Sequence, residues 1–165
     1  MAHAMNDRSV QLLREHLLEL LGEGAAHTDF DAAVAGLPAR LRGAKPPGLP
    51  HTPWRILEHL RISQHDIVEF TVNPEYVSPS WPEGYWPEGD SPPDAKAWTA
   101  AVRAFRADLE RMRRLVADPK TDLLDPLPHG TGQTVAREAM LLADHNAYHI
   151  GQLVLIRRLL NAWPE

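Results

Sequence analysis

Two histidines stand four residues apart near the C-terminus, His145 and His149, with Gln152 three positions further on. Imidazole nitrogen is a good ligand for borderline divalent ions, and residues i and i+4 of a helix can share one ion. The chain holds nine His and no Cys, so thiolate nucleophiles, disulfides and sulfur-ligated metals are excluded while nitrogen and oxygen metal sites stay open. The pair alone is weak, because polar side chains four apart are common on helices. It could be a solvated stripe, a hydrogen-bonded pair in the core, or two ligands.

Helix geometry separates these readings. At about 100° per residue, with His145 at zero, His149 lies at about +40°, Leu141 at −40°, Leu142 at +60°, Gln152 at −20°, Leu153 at +80° and Ile156 at +20°. Leu159, Leu160 and Trp163 share the sector, which places both histidines at the centre of an apolar face. Asp144, Arg158 and Asn161 take the opposite side, so a solvated stripe does not fit. Glu138 continues the polar column two turns before His145. Buried polar groups without partners cost free energy, so each other, water or a cation must satisfy them.

A second helix, from Pro53 to about Thr71, supplies a third ring. With His59 at zero, Ile56, Ile62, Ser63, Ile67 and Phe70 lie within about 80°, so His59 faces the core. Asp66 lies at about −20° and is the one carboxylate on that face; His65 lies at about −120°, among Glu58, Arg61 and Glu69, and reads as solvated. Three inward imidazoles suit Zn²⁺ or Ni²⁺ with coordination positions left open, the catalytic kind of site; a metal-free polar network is the competing reading. Asp66 and Glu138 read as hydrogen-bond partners for the rings, Gln152 as pocket lining. Tyr148, at about −60°, reads as buried packing that could offer a phenol to the site. His16, His51, His129, His27 and His3 read mostly as bystanders. No basic cluster is evident, and Arg55, at about −40° from His59, is the one cation near the mouth.

The elements that must position these groups are all helical. Apolar periodicity marks residues 7–21 (Val10, Leu13, Leu17, Leu20 and Leu21 inward, stopped by Gly22 and Gly24), a short helix over 29–37 ended by Pro38, and 94–117 (Trp98, Val102, Phe105, Leu109, Met112 and Val116 inward). The remaining two are 53–71, with Thr52 as N-cap and Pro53 in the first turn, and 132–162. Residues 42–51 and 118–131 read as loops. Between Asn73 and Pro93 lie six prolines and two copies of WPEG. This reads as an ordered loop in which Trp81, Tyr85 and Trp86 bury apolar area and could form a lid. No strand-like alternation appears, so the expected fold is an all-α four-helix bundle, one domain over 1–165; its long connections fit one or more crossover connections, or a lid.

The formal charge of −5 gives no basic footprint for nucleic acid. No apolar run approaches the roughly 18 residues of a membrane span, and the first ten residues lack a signal-peptide core, so a cytoplasmic protein is expected.

Taken together and in order, PWRILEHLRISQHDIVEF (53–70), SWPEGYWPEGDSPP (80–93) and DHNAYHIGQLVLIRRLL (144–160) resemble the DinB-like (YfiT-like) helical-bundle family of metalloenzymes. The segment 27–51 resembles one branch of it. The resemblance spans about 7–163. It implies an up-down-down-up bundle and a divalent ion, Ni²⁺ or Zn²⁺, on His59, His145 and His149. It also implies frequent homodimers and reactions that include transfer to or from low-molecular-weight thiols and hydrolysis. A non-catalytic metal-binding or stress-response module is the alternative.

Overall fold

The computed structural model describes residues 7–22 and 26–164; His3 and Gly24 lie outside them. The described residues form five α-helices and no strand: α1 (Asp7–Leu20), α2 (Phe30–Val34), α3 (Pro53–Val72), α4 (Ala97–Ala117) and α5 (Val135–Leu159).

Local chemistry sets the ends. Thr52 caps α3, its hydroxyl accepting from the Arg55 N–H at 3.2 Å, with Pro53 in the first turn. Asp94 accepts from the Lys96 and Ala97 N–H groups, so residues 94–96 form a capping turn and α4 starts later than the periodicity suggests. Thr134 caps α5 by accepting from Arg137 N–H, which moves its start from 132 to 135. At the other end Asn161 takes a left-handed φ of 51°, Asn161 N–H bonds Arg158 O, and Ala162 N–H bonds Arg157 O. This is a Schellman stop, and it ends α5 at Leu159 rather than 162. Residues 29–37 yield only five helical residues, capped by Asp29.

Two apolar clusters give the directions of the helices. The first joins α2 to the N-terminal halves of α3 and α4 and the C-terminal half of α5, through Leu57, Leu60, Phe105 and Leu153 among others. The second joins Leu17 and Leu21 to the C-terminal halves of α3 and α4 and the N-terminal half of α5, through Val68, Met112 and Leu142. Each buried Leu, Ile or Phe contributes about 1.5–3 kcal/mol. Helices α3 and α4 are therefore parallel, and α5 opposes both. Arg14 of α1 donates to the carbonyls of Val116 in the last turn of α4 and of Asp118 and Thr121 beyond it, whereas Asp31 of α2, further along the chain, pairs with Arg106 in the middle of α4. So α1 also opposes α4, and the order is up-down-down-up. On α1, Leu20 is 56% exposed, not inward as its periodicity suggests.

Parallel α3 and α4 require the chain to return the length of the bundle between them. Residues 73–96 do so as a strap laid back along α3. Tyr76 meets His65 edge-on, the Tyr85 hydroxyl donates to Asp66, the Tyr85 carbonyl faces His59, the Pro87 carbonyl accepts from Arg55, and the Asp90 carbonyl accepts from Thr52. From Tyr85 to Asp90 the strap numbers rise as the α3 side falls from Asp66 to Thr52.

Candidate metal centre

Helices α3 and α5 bring His59, His145 and His149 together, one nitrogen of each lying within 4.8 Å of the others. His59 Nε2 is 3.1 Å from His149 Nε2 and 3.1 Å from His145 Nε2. His59 and His149 are buried, at 4% and 9% exposure, and His145 is half-buried.

The rings do not sit at the centre of the buried faces. On α5 the buried residues Val135, Ala139, Leu142, Asn146, Leu153 and Arg157 centre about 90° from His145, while Leu141, Tyr148 and Leu159 on its other side are exposed. On α3 the buried arc likewise centres about 110° from His59, running through Leu60 and Gln64. The cluster therefore lies at the edge of the α3–α5 seam. The strap covers it there: Trp86 stacks on His59, ring centroids 4.0 Å apart and planes 4° apart. The middle of the seam holds a different polar pair, Asn146 donating to Gln64 at 2.8 Å, with Gln64 donating to the Phe105 carbonyl.

Hydrogen bonds fix the tautomers. His59 Nδ1 lies 2.8 Å from the Tyr85 carbonyl and His149 Nδ1 lies 2.8 Å from Gln152 Oε1. Both partners accept, so both Nδ1 atoms carry hydrogen and both Nε2 atoms present lone pairs. His145 Nδ1 is buried without a partner, which leaves its Nε2 free to donate to His59. The His59–His149 contact then sets lone pair against lone pair at 3.1 Å. Three neutral rings cannot satisfy this arrangement among themselves, and a cation can. Two nitrogens about 2.0–2.1 Å from one tetrahedral ion are about 3.3–3.4 Å apart, so the His59–His145 and His59–His149 spacings fit one ion with shifts of a few tenths of an ångström.

Electrostatics point the same way. Burial, then His149, then His59 push the His145 pKa down to about 3. Burial, then His59, push His149 to about 4, against the Gln152 bond that raises it. Burial lowers His59 as well, against the Tyr85 carbonyl. All three rings are neutral near pH 7, the form that ligates.

Other expected site residues are distributed differently. Asp66 does not serve a histidine; its Oδ2 accepts from the Tyr85 hydroxyl at 2.7 Å and its Oδ1 is buried without a partner. The desolvated phenol and the adjacent carboxylate push Tyr85 up to about 12. Glu138 is buried but pairs with Arg137. Tyr148 is 65% exposed rather than packed in the core, its edge toward His149. Trp81 is 76% exposed and touches Tyr85, so of the expected lid residues Tyr85 and Trp86 reach the cluster and Trp81 does not. Arg55 is held by the Pro87 carbonyl and Asp90, with its guanidinium 5.7 Å from the Trp86 ring. His65 pairs with Asp108 of α4, away from the cluster.

His51, taken as a bystander, stacks on Trp86 at 4.2 Å and 13°. Rings lying parallel to one indole at about 4 Å must take opposite faces, so His51, Trp86 and His59 form a three-layer stack. No periodicity in the loop before Thr52 could have signalled this.

A helical bundle carrying a three-histidine cluster between antiparallel helices, closed by a strap, is the class that fold and site define. The family model for the DinB superfamily matches residues 24–153, and the chain belongs to that superfamily. The match takes in all three histidines and Gln152, and leaves α1 and the last turns of α5 outside. Neither the curated proteins nor the solved structures contain a significant match.

Proposed function

We propose that His59, His145 and His149 hold one divalent ion, Ni²⁺ or Zn²⁺, and that residues 1–165 form one domain built around this site. The chain acts, on this reading, as a metal-dependent enzyme on a small molecule, by thiol-dependent transfer or by hydrolysis. The convergence of three Nε2 atoms, with the lone pairs of His59 and His149 set against each other, is the observation that supports it most. When bound, such an ion lowers the pKa of a thiol or water and so supplies a nucleophile near neutral pH.

The chain's own residues do the rest. Tyr85 and Gln152 hold two rings in the ligating tautomer. Trp86 keeps water off one side of His59, while the half-buried His145 and the exposed Tyr148 leave the α5 side open for a small molecule. The preference for a thiol comes from the family resemblance. A non-catalytic module is supported by one observation: an ion here would tie together positions 86 and 90 residues apart in the chain.

Elemental analysis of protein purified without chelator is expected to give about one first-row divalent ion per chain. His149→Ala is expected to abolish tight binding while His65→Ala retains it; equal losses would sink the assignment. Co²⁺-loaded protein is expected to change its d–d spectrum with a cellular thiol. Silence toward every thiol tried would favour water as the nucleophile or the non-catalytic module.

The exposed apolar stripe Leu141, Tyr148, Leu155 and Leu159 on α5 supports a homodimer.

A further inference from the structure

We propose that Lys45 and Arg55, flanked by His51, form a receiving site for a carboxylate carried by the small-molecule substrate. The site lies beside the Trp86 ring that stacks on His59. This inference rests on the metal-enzyme reading and deepens it by naming the substrate class.

In the sequence Arg55 stands as the one cation near the mouth. The fold adds a second. The loop before α3 turns Lys45 toward the strap, where Lys45 Nζ lies 3.5 Å from one oxygen of Asp90 and Arg55 Nη1 lies 3.7 Å from the other. Good charge-assisted bonds are about 2.7–2.9 Å, so two cations share one carboxylate and neither holds it closely. Asp90 is half exposed, as is Lys45. Its carboxylate is an internal stand-in: it shows which chemistry the pair accepts, and it sits where exchange for an external carboxylate costs little burial. Screening makes such a loose surface pair worth little to stability, so stability alone is a poor reason for it.

Placement connects this pair to the metal centre. The Arg55 guanidinium is 5.7 Å from the Trp86 ring centroid, and that ring lies on His59. His51 covers the other face of Trp86 and carries a buried Nδ1 with no partner. Arg55, Lys45 and Asp90 all act on His51 electrostatically, which places the four groups in one field. A substrate with a reacting group at the histidines and a carboxylate at Arg55 and Lys45 would be held at two points, the orientation a transfer or hydrolysis requires.

The test follows the ¹H–¹⁵N and imidazole C–H signals of Arg55 and His51 in zinc-loaded and metal-free protein, titrated with succinate or with the neutral succinamide. Succinate is expected to shift both residues saturably, and succinamide is not. Lys45→Gln with Arg55→Gln should weaken succinate binding about tenfold or more while zinc stoichiometry stays unchanged. Should the double variant misfold, Lys45→Gln alone alters a half-exposed side chain and is expected to weaken binding several-fold. Equal shifts with succinamide, or succinate binding that survives the substitutions, would overturn the proposal. A failure of zinc to bind would sink the metal reading instead, and the metal-free titration would still decide the carboxylate site.

Discussion

Each histidine of the cluster has a different neighbour at its second nitrogen: a carbonyl for His59, an amide for His149, and none for His145. Residue spacing located the three rings but not these partners. Asp66 and Glu138 share the histidines' helix faces, and face arithmetic therefore favoured them. In the fold the strap's main chain and Gln152 supply the contacts, and Asp66 is drawn to Tyr85. A carbonyl partner leaves no trace in the side-chain pattern, so this part of the site was not legible. The depressed pKa values carry a consequence for stability. His145 and His149 titrate at about 3 and about 4 in the folded protein, against an unfolded value near 6.5. Between these values the unfolded state binds more protons, so stability falls as pH falls through this window. Metal-free protein is expected to lose melting temperature steadily from pH 7 to pH 4.5. A flat profile, measured with His145→Gln/His149→Gln as the reference, would contradict the neutral, desolvated rings.

At the scale of elements, helix types were readable because each amphipathic stripe and cap is local: Thr52 with Pro53, and the Trp98-to-Val116 stripe. What was not readable is where the buried arc of each helix begins. Apolar residues on both flanks of His145 made it look central, yet Leu141 and Leu159 are exposed and Asn146 is buried. The strap decides this, since it covers one edge of the α3–α5 seam and leaves the flank beyond it open. Its anchoring can be tested at Tyr85. Tyr85→Phe removes the donor to Asp66, whose other oxygen is already buried without a partner. The substitution is expected to cost about 1–3 kcal/mol in chemical denaturation. Because the Tyr85 carbonyl faces His59, it should also weaken metal binding. A neutral effect on both would mean that the strap is held mainly by Trp86 and the Arg55 and Thr52 contacts.

The whole molecule buries its two apolar clusters along one bundle and still exposes Leu141, Tyr148, Leu155 and Leu159 along one line of α5. No helix among the described residues is long and apolar enough to cross a membrane. The all-α class followed from periodicity, whereas the crossover followed from the family resemblance, because loop length alone fits a crossover or a lid equally and only parallel middle helices demand a long return. The route of that return did not, since it depends on contacts between segments about 10 to 40 residues apart. If the α5 stripe is a subunit interface, sedimentation at micromolar concentration is expected to give a dimer. Tyr148→Glu with Leu155→Glu should then give a monomer that keeps its metal. A monomeric wild type would remove the interface and leave the stripe as ordinary surface.

The central claim is that one ion joins α3 to α5 through three imidazoles. Anomalous diffraction from crystals of the metal-loaded protein, collected at the absorption edge of the bound ion, addresses it most directly. The account predicts one strong peak per chain, about 2.0–2.1 Å from Nε2 of His59, His145 and His149, with at least one further position taken by solvent or ligand. A peak on His51, His65 or the surface, or none at this cluster in protein loaded with one equivalent, would contradict it.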